Sequence, residues 1–247
     1  MAILTHYHRP TEMDEALALL ARTDVHLVPL AGGTALIPAL ETRELREVEG
    51  VVDLSRLGLE AIQADGDGIR IGAMVRLTDL MEHPTTGTLA DGLLRRTAAC
   101  EGPINLRNMA TVGGTVVTAH PDSELYAAFL ALDAQVHFRD AQGEHRIPLA
   151  AFQGLEQGLV IALHLSPGQD LRGGHARVAR TPRDRPIVAA VAVVGEGVER
   201  VALCGVASRP VLADAPLAPP DDCTGTPEYR QAMAQVLSRR ALAQARS

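Results

Sequence analysis

Two short glycine turns, far apart in the chain, carry the residue types that hold a diphosphate. One is Ala31-Gly32-Gly33-Thr34-Ala35-Leu36 and the other is Thr111-Val112-Gly113-Gly114-Thr115. A diphosphate is an anion that needs several converging N–H donors. Glycine lets the backbone approach it without a Cβ clash, and a neighbouring threonine adds a hydroxyl. Neither turn is G-x-G-x-x-G, so a Rossmann site is not indicated. Neither is a P-loop, because the chain has no lysine. The pair, followed by the polar loop His120-Pro121-Asp122-Ser123-Glu124, predicts a dinucleotide site.

Other residues with chemical potential lack the spacing that would use it. None of the nine histidines falls in H-x-x-x-H or H-E-x-x-H, so no metal site is expected. The three cysteines, Cys100, Cys204 and Cys223, are scattered. They offer neither the four thiolates usual for an iron–sulfur cluster nor a disulfide framework. Asp65-Gly66-Asp67-Gly68 reads as a hairpin turn rather than a calcium loop. Ser123 has no G-x-S-x-G context, so no hydrolase nucleophile is assigned. Arg180, Arg183 and Arg185 cluster beside Asp184, which suits a solvated turn as well as a cofactor or partner contact. No catalytic residue is readable.

The turns need elements to position them. Val25–Leu30 reads as a strand leading into the first turn, and Leu36–Leu40 as a short helical turn after it. Helices are expected over Thr11–Ala21, from Thr78 to Glu82, and over Leu89–Cys100. An amphipathic helix is expected over Glu124–Leu132. Gly50–Leu54, Ile69–Ile71, Ala134–Phe138 and Leu159–Leu165 read as strands. The polar, Gly/Pro-rich stretch Ser166–Gly174 is the expected domain boundary. After it come strand-like runs at Ala176–Ala179, Ile187–Val194 and Arg200–Ala207, a proline-rich connection Pro210–Pro220, and a helix over Pro227–Ala243. The 247 residues, 47% apolar, suffice for such a core. No apolar run approaches the roughly 20 residues of a membrane span, and Met1–Pro10 has no signal-peptide core, so a cytoplasmic protein is expected. A net charge of −7 and 2% aromatic residues argue against nucleic acid and anionic membranes as partners.

At the two turns the chain resembles the FAD-binding (medium) subunit of the molybdenum hydroxylases, the family of the carbon monoxide, xanthine and nicotinate dehydrogenases. Tyr7-His8-Arg9-Pro10 is similar to the family's aromatic-x-R-P opening. Ala31–Leu36 matches its A-G-G-T-[DS]-L loop apart from Ala35. Leu106–Thr115 follows its I-R-N-x-x-T-[IV]-G-G-[ND] loop, with Leu106 for Ile and Thr115 at the last position. Ala119–Glu124 is similar to A-S-P-x-[SG]-D. The resemblance reaches about Ala207 and fades in a C-terminal part that looks short.

This resemblance implies an α+β fold: a two-lobed FAD-binding domain of the vanillyl-alcohol-oxidase (PCMH) type over residues 1–168, with lobes of about 1–56 and 57–168. A shortened C-terminal α+β domain would occupy residues 169–247. It implies a non-covalent FAD held by Ala31, Gly32, Gly33, Thr34, Ala35, Leu36, Thr111, Val112, Gly113, Gly114 and Thr115. Thr118 and His120 would lie beside it, Glu124 toward the ribose, Val160 along the flavin ring, and Arg177 or Arg180 near the isoalloxazine. The implied function is electron transfer from iron–sulfur clusters on a small partner subunit to an acceptor, NAD among the candidates. A large molybdopterin subunit would oxidise the substrate. Two other readings stay open: a stand-alone flavin reductase or dehydrogenase, and a degenerate binding module without flavin. Ala35 and Thr115 keep the last alive, because each removes a side chain that the family uses.

Overall fold

A computed structural model of the chain describes residues 4–155, 157–166 and 170–247. The boundary expected at 168/169 lies outside the described residues. The chain order is β1 (His6–His8), α1 (Met13–Leu20), β2 (Leu27–Leu30), α2 (Leu36–Glu41), β3 (Gly50–Asp53), β4 (Ile62–Asp65), β5 (Gly68–Gly72), α3 (Leu77–Glu82), α4 (Pro84–Cys100), α5 (Ile104–Arg107), α6 (Val112–Thr118) and α7 (Glu124–Ala131). It continues with β6 (Gln135–Asp140), β7 (Gly143–Pro148), a 3-10 turn (Leu149–Ala151), β8 (Leu159–Leu165), β9 (Arg172–Val178), β10 (Val188–Gly195), β11 (Val198–Cys204), β12 (Val211–Leu212) and α8 (Pro227–Arg246). This is an α+β architecture.

Three sheets organise it. The first is parallel, in the order β1-β3-β2. The helix α1 connects β1 to β2 and buries Ala16 against it. Tyr7 and Arg9 explain the N-terminal motif. The Tyr7 hydroxyl donates to Asp53 Oδ2, and Arg9 Nε donates to Ser55 Oγ at 2.9 Å. Both side chains thus tie β1 to the end of β3.

The second sheet is antiparallel, in the order β4-β5-β8-β6-β7. Every residue of its central strand β8 is buried, His164 included, as a mainly apolar strand covered on both faces requires. The third sheet, β12-β11-β10-β9, is also antiparallel and carries α8 on one face. Along β10 the side chains alternate between two cores. Ala189, Val191 and Val193 join the large core around α4 and α7, while Val188, Ala190 and Ala192 face α8. One apolar core therefore runs from the second sheet through α7 into the third.

Two helix expectations need correction. The helix α7 is not amphipathic: all eight of its residues are buried, because it lies between α4 and the third sheet. The helix expected over Leu89–Cys100 is interrupted at Leu89–Gly92, where Ala90 and Asp91 adopt positive φ. There Asp91 Oδ2 accepts from Arg172 Nε at 3.2 Å and from the Gly173 amide at 3.3 Å, so the kink docks onto β9.

Candidate cofactor site

The two glycine turns face each other across one cleft of about 830 Å³. That is within the range of roughly 300–1,000 Å³ common for cofactor pockets. The first turn follows β2 at the carboxyl end of the parallel sheet, the place where open parallel sheets receive ligands. The turn is built by Gly32 and Gly33. A Cβ on Gly32 would lie 1.9 Å from the Met109 carbonyl oxygen, and Gly33 holds a φ of +70°. Any side chain at Gly32 would push the two turns apart.

The turns differ in what they offer. Among the described residues, the amides of Gly32, Gly33, Thr34, Ala35 and Leu36 have no protein acceptor. Five donors are therefore left for a ligand. The second segment is not a loop but the capped start of α6. The Thr111 hydroxyl accepts from the Gly114 amide at 3.1 Å. The Val112 amide donates to Val75, Gly113 to Ala73 and Thr115 to the Thr111 carbonyl. The amides from Val112 to Thr115 are thus already used within the protein. The hydroxyls of Thr115 and Thr118 are also engaged, donating to the Thr111 and Gly114 carbonyls at 3.1 and 2.7 Å.

Thirteen of the sixteen residues singled out from sequence line the cleft: Ala31, Gly32, Gly33, Thr34, Ala35, Leu36, Thr111, Gly113, Gly114, Thr115, Thr118, His120 and Val160. Val160 reaches it from the edge of the buried strand β8. Three do not line it. Val112 is fully buried in the large core. Glu124 is 1% exposed and turns toward β9. There its Oε1 accepts from Arg177 Nε at 2.8 Å, and its Oε2 lies 2.7 Å from His175 Nε2. Burial pushes the Glu124 carboxyl up, but His175 and Arg177 outweigh it and hold the group below the usual carboxylate range. Arg177 is spent on Glu124 and on the carbonyls of Pro182 and Asp184.

The cleft also takes residues that the sequence did not mark. Glu101 lines it and accepts from the Ser123 hydroxyl and the Leu125 amide, both at 2.8 Å. A lone acid at a helix end gave no signal. Arg185, from the basic cluster, lines the cleft and donates to Asp122 Oδ1 at 2.5 Å. Asp122 also meets His120 Nδ1 at 2.6 Å. Burial raises the Asp122 carboxyl, yet its two partners hold it below the ordinary range. Arg107, from the I-R-N-like motif, lines the cleft too, but its guanidinium braces the backbone at Ala99 and Gly102.

Comparison with known proteins fits this geometry. Residues 3–160 match the family described as the FAD binding domain in molybdopterin dehydrogenase. The carbon monoxide dehydrogenase medium chain of Afipia carboxidovorans is 29% identical over 283 residues, covering 98% of this chain and 96% of the relative. Those 283 positions exceed the 247 residues present here, so the relative carries stretches that this chain lacks. The caffeine dehydrogenase subunit beta of a Pseudomonas species is 28% identical, covering 83% of this chain and 74% of the relative. Among solved structures, reconstituted CO dehydrogenase from Oligotropha carboxidovorans superposes with a TM-score of 0.89 at 27% identity, covering 99% and 98% of the two chains. With 158 contiguous residues matched and the fold shared along nearly its whole length, the chain belongs to the FAD-binding medium-subunit family of the molybdopterin dehydrogenases.

Proposed function

We propose that this protein binds FAD non-covalently in the cleft and passes electrons from iron–sulfur clusters on a small partner subunit to an acceptor. A large molybdopterin subunit would carry the substrate chemistry. The observation that carries the reading is the row of unpaired amides from Gly32 to Leu36, opening on a cleft of cofactor size. FAD, when bound, supplies the capacity to take electrons singly and release them in pairs.

The chain's own residues divide the work. Gly32–Leu36 supply N–H donors to the diphosphate, and the Thr34 and Thr111 hydroxyls add two more. The α6 segment supplies shape rather than donors, holding Gly114 and Thr115 as the opposite wall. Val160 and Met74 give an apolar face against which a flat ring system packs. Arg185, tethered by Asp122, places positive charge in the cleft. Glu124 and Arg177 brace the site from behind, by joining α7 to β9. The relatives named as dehydrogenase chains or subunits support multi-subunit assembly.

The test is a spectrum. Purified protein titrated with FAD is expected to quench flavin fluorescence and to sharpen the flavin absorbance bands with one FAD per chain. Absence of any spectral response would exclude the flavin reading and leave the degenerate module. Reduction of bound flavin by NADH without partners would favour the stand-alone reductase. Co-expression with small and large subunits of this class should yield a ternary complex.

A further inference from the structure

Outside the cleft, three side chains with metal-ligating chemistry meet from three separate elements. Cys100 ends α4, Glu124 opens α7 and His175 lies in β9. One ligand atom of each lies within 4.8 Å of the other two. Glu124 is 1% exposed and the His175 side chain 9%. Glu124 Oε2 and His175 Nε2 are 2.7 Å apart and shut off from solvent, and they meet as an ion pair without a well-aligned hydrogen bond among the described residues. Three ligand atoms of three chemical types thus converge on one poorly solvated place.

We propose that Cys100, Glu124 and His175 form a site for one divalent, zinc-like cation that staples α4 and α7 to β9. A thiolate, an imidazole nitrogen and a carboxylate oxygen are a donor mix that zinc accepts, and three protein ligands leave a fourth position for water. Arg177 supports the site instead of opposing it. By donating to Oε1 it fixes the carboxylate plane and leaves Oε2 for the metal, as partners of metal ligands commonly do. Charge also balances. Thiolate and carboxylate neutralise the cation, and Arg177 is paired with Glu124 Oε1 and two carbonyls. The spacing of the three residues, 24 and 51 positions apart, is why no sequence motif announces the site.

The experiment uses the full chain without a histidine tag. Bound zinc is counted per chain after expression in zinc-supplemented medium and dialysis. The protein, stripped of metal with a chelator, is then titrated with cobalt(II). The expected result is one zinc per chain and a thiolate-to-cobalt charge-transfer band with the visible bands of four-coordinate cobalt. Cys100→Ser should abolish the charge-transfer band, and His175→Ala should weaken zinc binding by about tenfold or more. Wild-type protein that retains no more zinc or cobalt than the Cys100→Ser/His175→Ala double variant would overturn the proposal, leaving a metal-free His175–Glu124 ion pair. So would a cobalt spectrum without a thiolate band. If a variant fails to fold, the wild-type cobalt spectrum decides alone.

Discussion

The Met109 carbonyl oxygen occupies the place where a β-carbon on Gly32 would go, 1.9 Å from that position. The first turn is therefore pressed, through Gly32, against the Met109–Ala110 backbone that leads into the second, and this approach depends on an absent side chain. Gly32→Ala must move backbone on one side or the other. Overpacking of this kind costs about 1–3 kcal/mol. The expected outcome is a lower urea midpoint together with loss of FAD binding in a fluorescence titration. A variant that keeps wild-type FAD affinity would show that the contact does not set the cleft.

Thr115 stands at the position where the family resemblance implies an amide or carboxylate, and its hydroxyl is turned back to the Thr111 carbonyl at 3.1 Å. It thus contributes no free donor to the cleft. Thr115→Asn restores a side chain able to reach the ligand. One added hydrogen bond is worth about 0.5–1.5 kcal/mol, so FAD affinity is expected to rise about two- to tenfold by titration. Unchanged or weaker affinity would mean that Thr115 does not face the bound cofactor.

The location of the site was legible because glycine pairs next to apolar runs are local signals. The strand Leu159–Leu165 was legible for the same reason, since a short run that is apolar except at His164 has few other uses. What stayed hidden depends on distant partners. Gly113 and Gly114 look like a loop in sequence, but Thr111 caps them as the start of α6. The strands β1, β4 and β7 are three to six residues long and carry polar side chains, so they owe their state to pairing rather than pattern. Glu124 matches a family position, yet no local pattern reveals that Arg177 and His175 lie beside it. That arrangement exists only once the third sheet docks on α7.

The Glu124–Arg177 contact predicts a large stability effect. The carboxylate is 1% exposed and the Arg177 side chain 20%, so removing one charge leaves the other in a poorly solvated place. Breaking a buried pair costs about 3–5 kcal/mol. Glu124→Gln is expected to lower unfolding free energy by that order in chemical denaturation. Arg177→Met should cost less when combined with Glu124→Gln than when made alone, because the pair acts as a unit. Additive losses in the double-mutant cycle would deny the coupling.

His164 predicts a dependence on pH. It lies in the central strand β8 with its side chain 7% exposed, and its Nδ1 is 2.6 Å from Asp65 Oδ2. Its Nε2 is buried without a partner among the described residues. Burial pushes the imidazole below its ordinary range, and Asp65 offsets this only in part. The unfolded chain therefore takes up a proton first, near the ordinary histidine value of about 6.5. The His164 contribution to stability is complete above that pH and is lost as pH falls toward the lower folded value. His164→Gln removes the titrating group and retains a polar side chain for Asp65. Thermal melts at pH 7.5 and pH 5 should show a steeper fall for the wild type than for the variant. Parallel falls would mean that His164 titrates alike in both states, so that its place in β8 imposes no net penalty on its charge.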